Sequence, residues 1–189
     1  FHLSVPCLVF GAQTDEADLP SFHVRVCAAD PVPLRTAAGF GITPEFGLEG
    51  LDGAGIVIMP AWHDDCRDAA PSLVAALQAA SGRGARMVGL CLGAFPLAQA
   101  GLLDGKSAAT HWGMADRLAA RYPKVKVDRE VLYVDDGGVL TSAGVAAGLD
   151  CCLHLLRQLA GAEVANRVAR RLLVAPHRQG GQAQFIERP

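Results

Sequence analysis

Short apolar runs closed by Gly or Pro alternate with helix-like segments along most of the chain. This alternation restricts the fold more than any single motif does. "GIVIMP" (Gly55–Pro60) and "RMVGL" (Arg86–Leu90) are continuously apolar, the pattern of strands buried on both faces of a parallel sheet. "FHVRVCAA" (Phe22–Ala29) carries the branched residues Val24 and Val26, is closed by Pro31, and reads as a further strand. "PSLVAALQAA" (Pro71–Ala80) opens with Pro and stops at "SGRG", a helix start and stop. "GAFPLAQAG" reads as the next helix, with Pro96 tolerable only in its first turn. The pattern continues with a short strand over Lys106–Trp112, an amphipathic helix over Gly113–Tyr122, and a hairpin. The hairpin pairs Val131–Val134 with Val139–Thr141 around Asp135-Asp136-Gly137-Gly138, which is turn chemistry. Two helices follow, Val145–Gly161 and Ala162–Val174. Strand–helix alternation with short connections predicts an α/β three-layer sandwich with a mostly parallel sheet, whose sites gather at the carboxyl ends of its strands.

A chain of 189 residues suits one domain with a real core. That domain is placed at residues 1–175, with a polar, Gly-rich tail or linker at 176–189. The net charge of −2 argues against tight nucleic-acid binding by this chain itself. No apolar run reaches the roughly 18 residues of a membrane span, and no cleavable leader is visible. The six cysteines show no zinc-type spacing, and a reducing cytoplasm is the simpler reading. No metal and no cofactor are expected. The chain starts at Phe1, so it is expected to begin inside a longer protein.

Chemistry concentrates at "GLCLG" (Gly89–Gly93), which has the form G-x-S-x-G with cysteine as the central residue. In such an elbow a strand turns sharply into a helix, and the flanking glycines remove side chains that would clash. The helix N-terminus and its free amides would favour a thiolate at Cys91. The Leu92 amide would be one oxyanion donor. The bland alternative is a small buried hydrophobe at a strand end. His111, in "ATHWG" 20 positions after Cys91, is the best base for a dyad. Trp62 and His63 follow the "IVIMP" strand and would line the same crevice, as would Trp112. Ser142, in "SAG", either caps the next helix or precedes amides that bind a ligand. His23, His154 and His177 read as structural or solvated. "HDDC" (His63–Cys66) reads as a solvated loop rather than a metal site, and Arg167, Arg170 and Arg171 as a solvated helix face.

The elbow, "GLLDGKSAATHW", "VLYVDDGGVLTSAGVAAGLDCCLHLLR" and "AEVANRVARRLLVAPHRQGGQAQFI" together resemble the ThiJ/PfpI (class I glutamine amidotransferase-like) superfamily. More narrowly they resemble the amino-terminal domain of AraC/XylS-type transcriptional regulators of the GlxA kind. The resemblance covers nearly the whole chain. It implies a flavodoxin-like sandwich, often dimeric, with Cys91 as the elbow cysteine, His111 as its neighbour, and a helix-turn-helix domain after the tail. It also implies a first strand before Phe1 and, after that strand, an acidic residue beside the cysteine. His2 stands in the acid's place. A protonated His2 would stabilise a thiolate, and a neutral one would merely pack. The expected function is a ligand-sensing, dimerising domain of a regulator that binds an unknown small molecule and meets DNA only through its other domain. The alternatives are a Cys-dependent amidase or isonitrile-hydratase-like enzyme and a redox-sensing thiol.

Overall fold

The computed structural model describes residues 1–11, 21–30, 32–36, 38–178 and 180–186. In chain order the elements are α1 (Ser4–Phe10), β1 (Leu34–Arg35), β2 (Gly41–Ile42), β3 (Ile56–Met59), α2 (Pro71–Gly82), β4 (Arg86–Leu90) and α3 (Ala94–Gln99). They continue as β5 (Ser107–Ala108), α4 (Ala115–Arg121), β6 (Lys126–Val127), β7 (Tyr133–Asp136), β8 (Val139–Ser142), α5 (Val145–Ala160) and α6 (Ala162–Arg171). The central sheet has the order β3-β4-β8-β7. Both β3–β4 and β4–β8 are parallel, and the β7–β8 hairpin closes one edge antiparallel. The hairpin's Asp136 pairs with Val139, leaving Gly137 and Gly138 as its two-residue loop. Both have positive φ, 58° and 82°, the backbone a type I′ turn requires and glycine supplies without strain.

Because successive strand side chains point to opposite faces, β4 feeds two cores. Met87 packs with Val57, Val139 and the apolar faces of α2 and α3. Val88 and Leu90 pack on the other side with Leu140 and residues of α1, α5 and α6. Helices therefore cover both faces: the chain adopts the α/β sandwich expected from the alternation, with the flavodoxin-like form that the family resemblance implies. Pro71 is the first residue of α2, and Pro96 is third in α3, where its missing N–H would be unpaired in any case.

Some elements differ from expectation. Phe22–Ala29 forms only an isolated parallel bridge between Cys27 and Phe46. Branched residues favour extended backbone but cannot build a ladder without a partner strand, and none lies beside them among the described residues. Pro31, expected to close that segment, lies outside the described residues. The strand expected over Lys106–Trp112 shrinks to β5, paired with β6 in a separate two-stranded sheet. α6 ends at Arg171 rather than Val174, and Leu173 turns away with φ 56°. The segment after it folds back on the domain, with a 3-10 turn over Gln182–Phe185. Of the segment read as a tail, positions 179 and 187–189 lie outside the described residues.

Candidate functional site

The strand ends Met59, Leu90 and Ser142 lie together at the carboxyl edge of the sheet. Cys91 follows Leu90 directly. Its φ is 53°, an uncommon value for a non-glycine residue that marks a sharp bend. A 3-10 turn over Cys91–Gly93 then leads into α3. The second glycine of the elbow has a specific steric reason. A Cβ on Gly93 would lie 2.1 Å from the Met59 carbonyl oxygen, so only glycine lets α3 pass the end of β3.

Cys91 is only 7% exposed. Burial pushes its thiol above the ordinary value of 9.0, and the charges of Asp64 and Cys66 push the same way. The Leu92 amide lies against the sulfur and opposes the shift, but burial wins. Burial thus works against the thiolate expected from the helix N-terminus: α3 has only six residues, and one amide opposes the desolvation.

His111 follows β5 and starts the 3-10 turn Trp112–Met114. Its Nδ1 accepts a hydrogen bond from the Gly113 N–H at 3.1 Å, which leaves the proton of the neutral ring on Nε2. That edge of the ring faces Gly144, where a Cβ would stand 2.9 Å from Cδ2 and 3.6 Å from Nε2. Among the described residues no hydrogen bond joins His111 to the Cys91 sulfur. The two are tied through the backbone instead: the Thr110 hydroxyl donates to the Cys91 carbonyl at 2.8 Å. The Trp112 ring stacks on His111 with centroids 5.5 Å apart.

His2 lies near enough to His111 and Asp64 to feel both charges. Its imidazole is shifted below 6.5, first by burial, then by the positive amino terminus and His111, with Asp64 opposing. His2 is therefore neutral at pH 7, and its Nε2 is buried without a hydrogen-bond partner. Trp62 and His63 follow β3 and meet edge to face at 5.0 Å, with the Trp62 indole N–H donating to the Arg67 carbonyl at 2.7 Å. His63 is exposed. Ser142 is fully buried, and its hydroxyl donates to the Ala143 carbonyl at 3.1 Å. It does not cap α5, whose N-cap is Gly144.

Two residues escaped the sequence reading. Asp64 is exposed, as a solvated loop residue should be, but its charge, to which no role was assigned, reaches both Cys91 and His2. Its position just after the apolar β3 run was the available signal. Gln182 had none: it lies in a polar, Gly-rich stretch, yet it is 3% exposed and bonded to the loop carrying His111. Among the described residues no three His, Cys, Asp or Glu side chains converge to hold a metal ion. All six cysteines are free thiols, including the neighbours Cys151 and Cys152. An open surface groove of about 370 Å³, lined by Cys7, Leu8, Gly11, Arg171 and Leu172, lies beside α1 and α6 and does not include the elbow.

Fold and elbow together define a flavodoxin-like α/β domain with a buried cysteine at a strand-to-helix bend. The family description "DJ-1/PfpI family" matches residues 4–158, and the chain belongs to that family. The HTH-type transcriptional regulator CdhR of Pseudomonas aeruginosa is 32% identical over 158 residues, covering 84% of this chain but 46% of CdhR. The isonitrile hydratase of Pseudomonas putida is 31% identical over 163 residues, 85% of this chain and 69% of the enzyme. The crystal structure of an AraC family transcriptional regulator from Pseudomonas putida superposes with a TM-score of 0.69 at 21% identity, covering 90% of this chain and 88% of that one. The chain thus spans less than half the length of CdhR, and no helix of its described residues is long and apolar enough to cross a membrane.

Proposed function

We propose that the chain is the ligand-sensing and dimerising domain of an AraC/XylS-type transcriptional regulator. In this reading residues 1–175 form the sensing domain and 176–189 lead toward a helix-turn-helix domain that alone contacts DNA. The regulator works in the cytoplasm, where free thiols persist. The observation that carries the reading is the resting state of the crevice. Cys91 is held as a thiol, His2 as a neutral ring, and the Nδ1 lone pair of His111 is occupied by Gly113. A nucleophile needs a base with a free lone pair within reach, and the hydrogen bond that His111 Nδ1 accepts from Gly113 supports a binding role for that ring over a basic one. In this reading a small ligand is held at the strand ends by Cys91, His111, Trp62, Trp112, His2, His63 and Ser142, without turnover. The regulator relative matches along 84% of the chain, which supports the same reading. The second reading, a hydratase- or amidase-like enzyme with Cys91 as nucleophile, rests on the similarity to isonitrile hydratase.

Iodoacetamide labelling of the Cys91 peptide against pH separates the two. A thiol shifted upward has less thiolate than a free cysteine at every pH, so labelling should be slow at pH 7 and still rising above pH 9. A plateau reached below pH 7 would overturn the sensing reading in favour of the enzyme. The reading frame after residue 189 tests the regulator itself: an in-frame helix-turn-helix domain is expected, and a stop codon without one rejects it.

A further inference from the structure

Gln182 is the only buried residue among the described residues after Ala169. A polar side chain that is buried alone in an exposed segment is held by its hydrogen bonds rather than by packing. Here both ends of the amide are used on one loop. Its Oε1 accepts the Trp112 N–H at 3.0 Å, and its Nε2 donates to the Thr110 carbonyl at 3.0 Å. These are the residues on either side of His111. The backbone seats the side chain: the Gln182 N–H donates to the Glu130 carbonyl at 2.7 Å. Gly181 passes so close that a Cβ would stand 2.0 Å from the Glu130 oxygen. Thr110 in turn bonds the Cys91 carbonyl at 2.8 Å. Three residues therefore connect the carboxyl-terminal segment to the elbow, all of them buried.

We propose that Gln182 is a positioning residue for the crevice. It fixes the Thr110–Trp112 backbone, and with it His111 and the Cys91 elbow, so that filling the crevice and releasing segment 180–186 are one equilibrium. The direction follows from space. Cys91 is 7% exposed and its carbonyl is held by Thr110, so opening the elbow to seat a group on the sulfur would pull on Thr110 and, through its carbonyl, on the Gln182 amide. By linkage, releasing the segment opens the sulfur to the same degree. The segment lies on the path toward any following domain, so the device would carry occupancy outward. It rests on the sensing reading for its purpose, but its test needs neither the natural ligand nor DNA.

Carboxamidomethylation by iodoacetamide serves as the probe, with labelling read on the Cys91 peptide by mass spectrometry and mobility by amide hydrogen exchange. The adduct on the full chain should speed exchange at the Trp112 and Gln182 amides by about tenfold, while Cys151–Leu156 in α5 stay protected. The same treatment of Cys91→Ser should leave Trp112 unchanged. Conversely, Gln182→Ala should raise the rate of Cys91 labelling at fixed pH by about tenfold. Gly181→Ala should do the same by displacing the segment while leaving the Gln182 side chain intact. If either variant frees the Trp112 amide but labels Cys91 within twofold of wild type, the proposal falls. It also falls if the adduct leaves the Gln182 amide as protected as before, or if Cys91→Ser responds equally. A failed coupling with a slow, alkaline labelling profile would leave the sensing reading standing, whereas a plateau below pH 7 would remove that reading whatever the coupling.

Discussion

At the residue scale, the elbow joins two requirements that pull apart. Geometry demands glycine where α3 crosses the end of β3, and it places Cys91 in a left-handed conformation. Burial then works against the thiolate that the same geometry favours in an open site. The steric half is directly testable at Gly93. Its backbone, with φ −59° and ψ −14°, suits alanine, so Gly93→Ala carries no conformational penalty. The added methyl would nonetheless collide with the Met59 carbonyl, and rigid backbone on both sides leaves no easy retreat. Overpacking of this kind costs about 1–3 kcal/mol. A urea titration should show the midpoint of Gly93→Ala lowered accordingly. Gly82→Ala, where nothing lies within 4 Å, should leave it unchanged or slightly raised. Flanking glycines in the sequence predicted the bend, but not that Met59 was the atom group approaching it. That contact joins residues 34 positions apart.

At the element scale, the β7–β8 hairpin is pinned to the sheet and to α5 through one carboxylate. Asp135 accepts from Arg86 at the start of β4 at 2.9 Å, from Gln158 on α5 at 2.7 Å, and meets His154 Nε2 at 3.2 Å. Its carboxyl is held below 3.8: burial works against ionisation, but the bonds from Gln158, His154 and Arg86 together outweigh it. The folded state thus binds fewer protons than the unfolded chain near pH 4. The stabilisation is fully present above 3.8 and is lost as pH falls through the lower folded value. Asp135→Ala takes the carboxylate from the Arg86 guanidinium, whose Nε is already without a partner, and leaves His154 and Gln158 on α5 with only each other at 2.9 Å. Since Asp135 retains 23% exposure, the expected loss is about 1–3 kcal/mol at pH 7, shrinking toward pH 3, read from urea melts at both. The sequence reading treated Asp135 as turn chemistry, because local pattern reports the hairpin and not its long-range partners. The same limit explains other misses. β3, β4, α2 and α5 were legible because their own apolar pattern dictates them. Phe22–Ala29 had strand-like residues without a neighbour to pair with, and Gln182 is buried by partners some 70 positions away.

At the scale of the whole molecule, two layers of helix seal the four-stranded central sheet, and thiols are sealed in with it. Cys151 and Cys152 sit on α5, and both are essentially unexposed. Burial pushes the Cys152 thiol up to about 12 and the Cys151 thiol well above 9.0. Tyr122 and Tyr133 are also shifted above 10.0, by burial first. Above pH 9 the unfolded chain releases these thiol protons while the folded one keeps them. The folded state then binds more protons, so stability falls as pH rises. Each such thiol subtracts about 1.4 kcal/mol per pH unit between its unfolded and folded values. By pH 11 Cys152 alone should remove about 2–3 kcal/mol, with Cys151 acting in the same direction. Urea melts at pH 7, 9 and 11 should therefore show a flat stretch followed by a steep decline. Cys152→Ala isolates the contribution. It should lower stability at pH 7 by about 1 kcal/mol through the lost sulfur contacts, yet lose about 2–3 kcal/mol less than wild type between pH 9 and 11. Parallel declines for the two proteins would mean that Cys152 titrates equally in both states. Burial by the α5 and α6 layer would then not be what holds its proton.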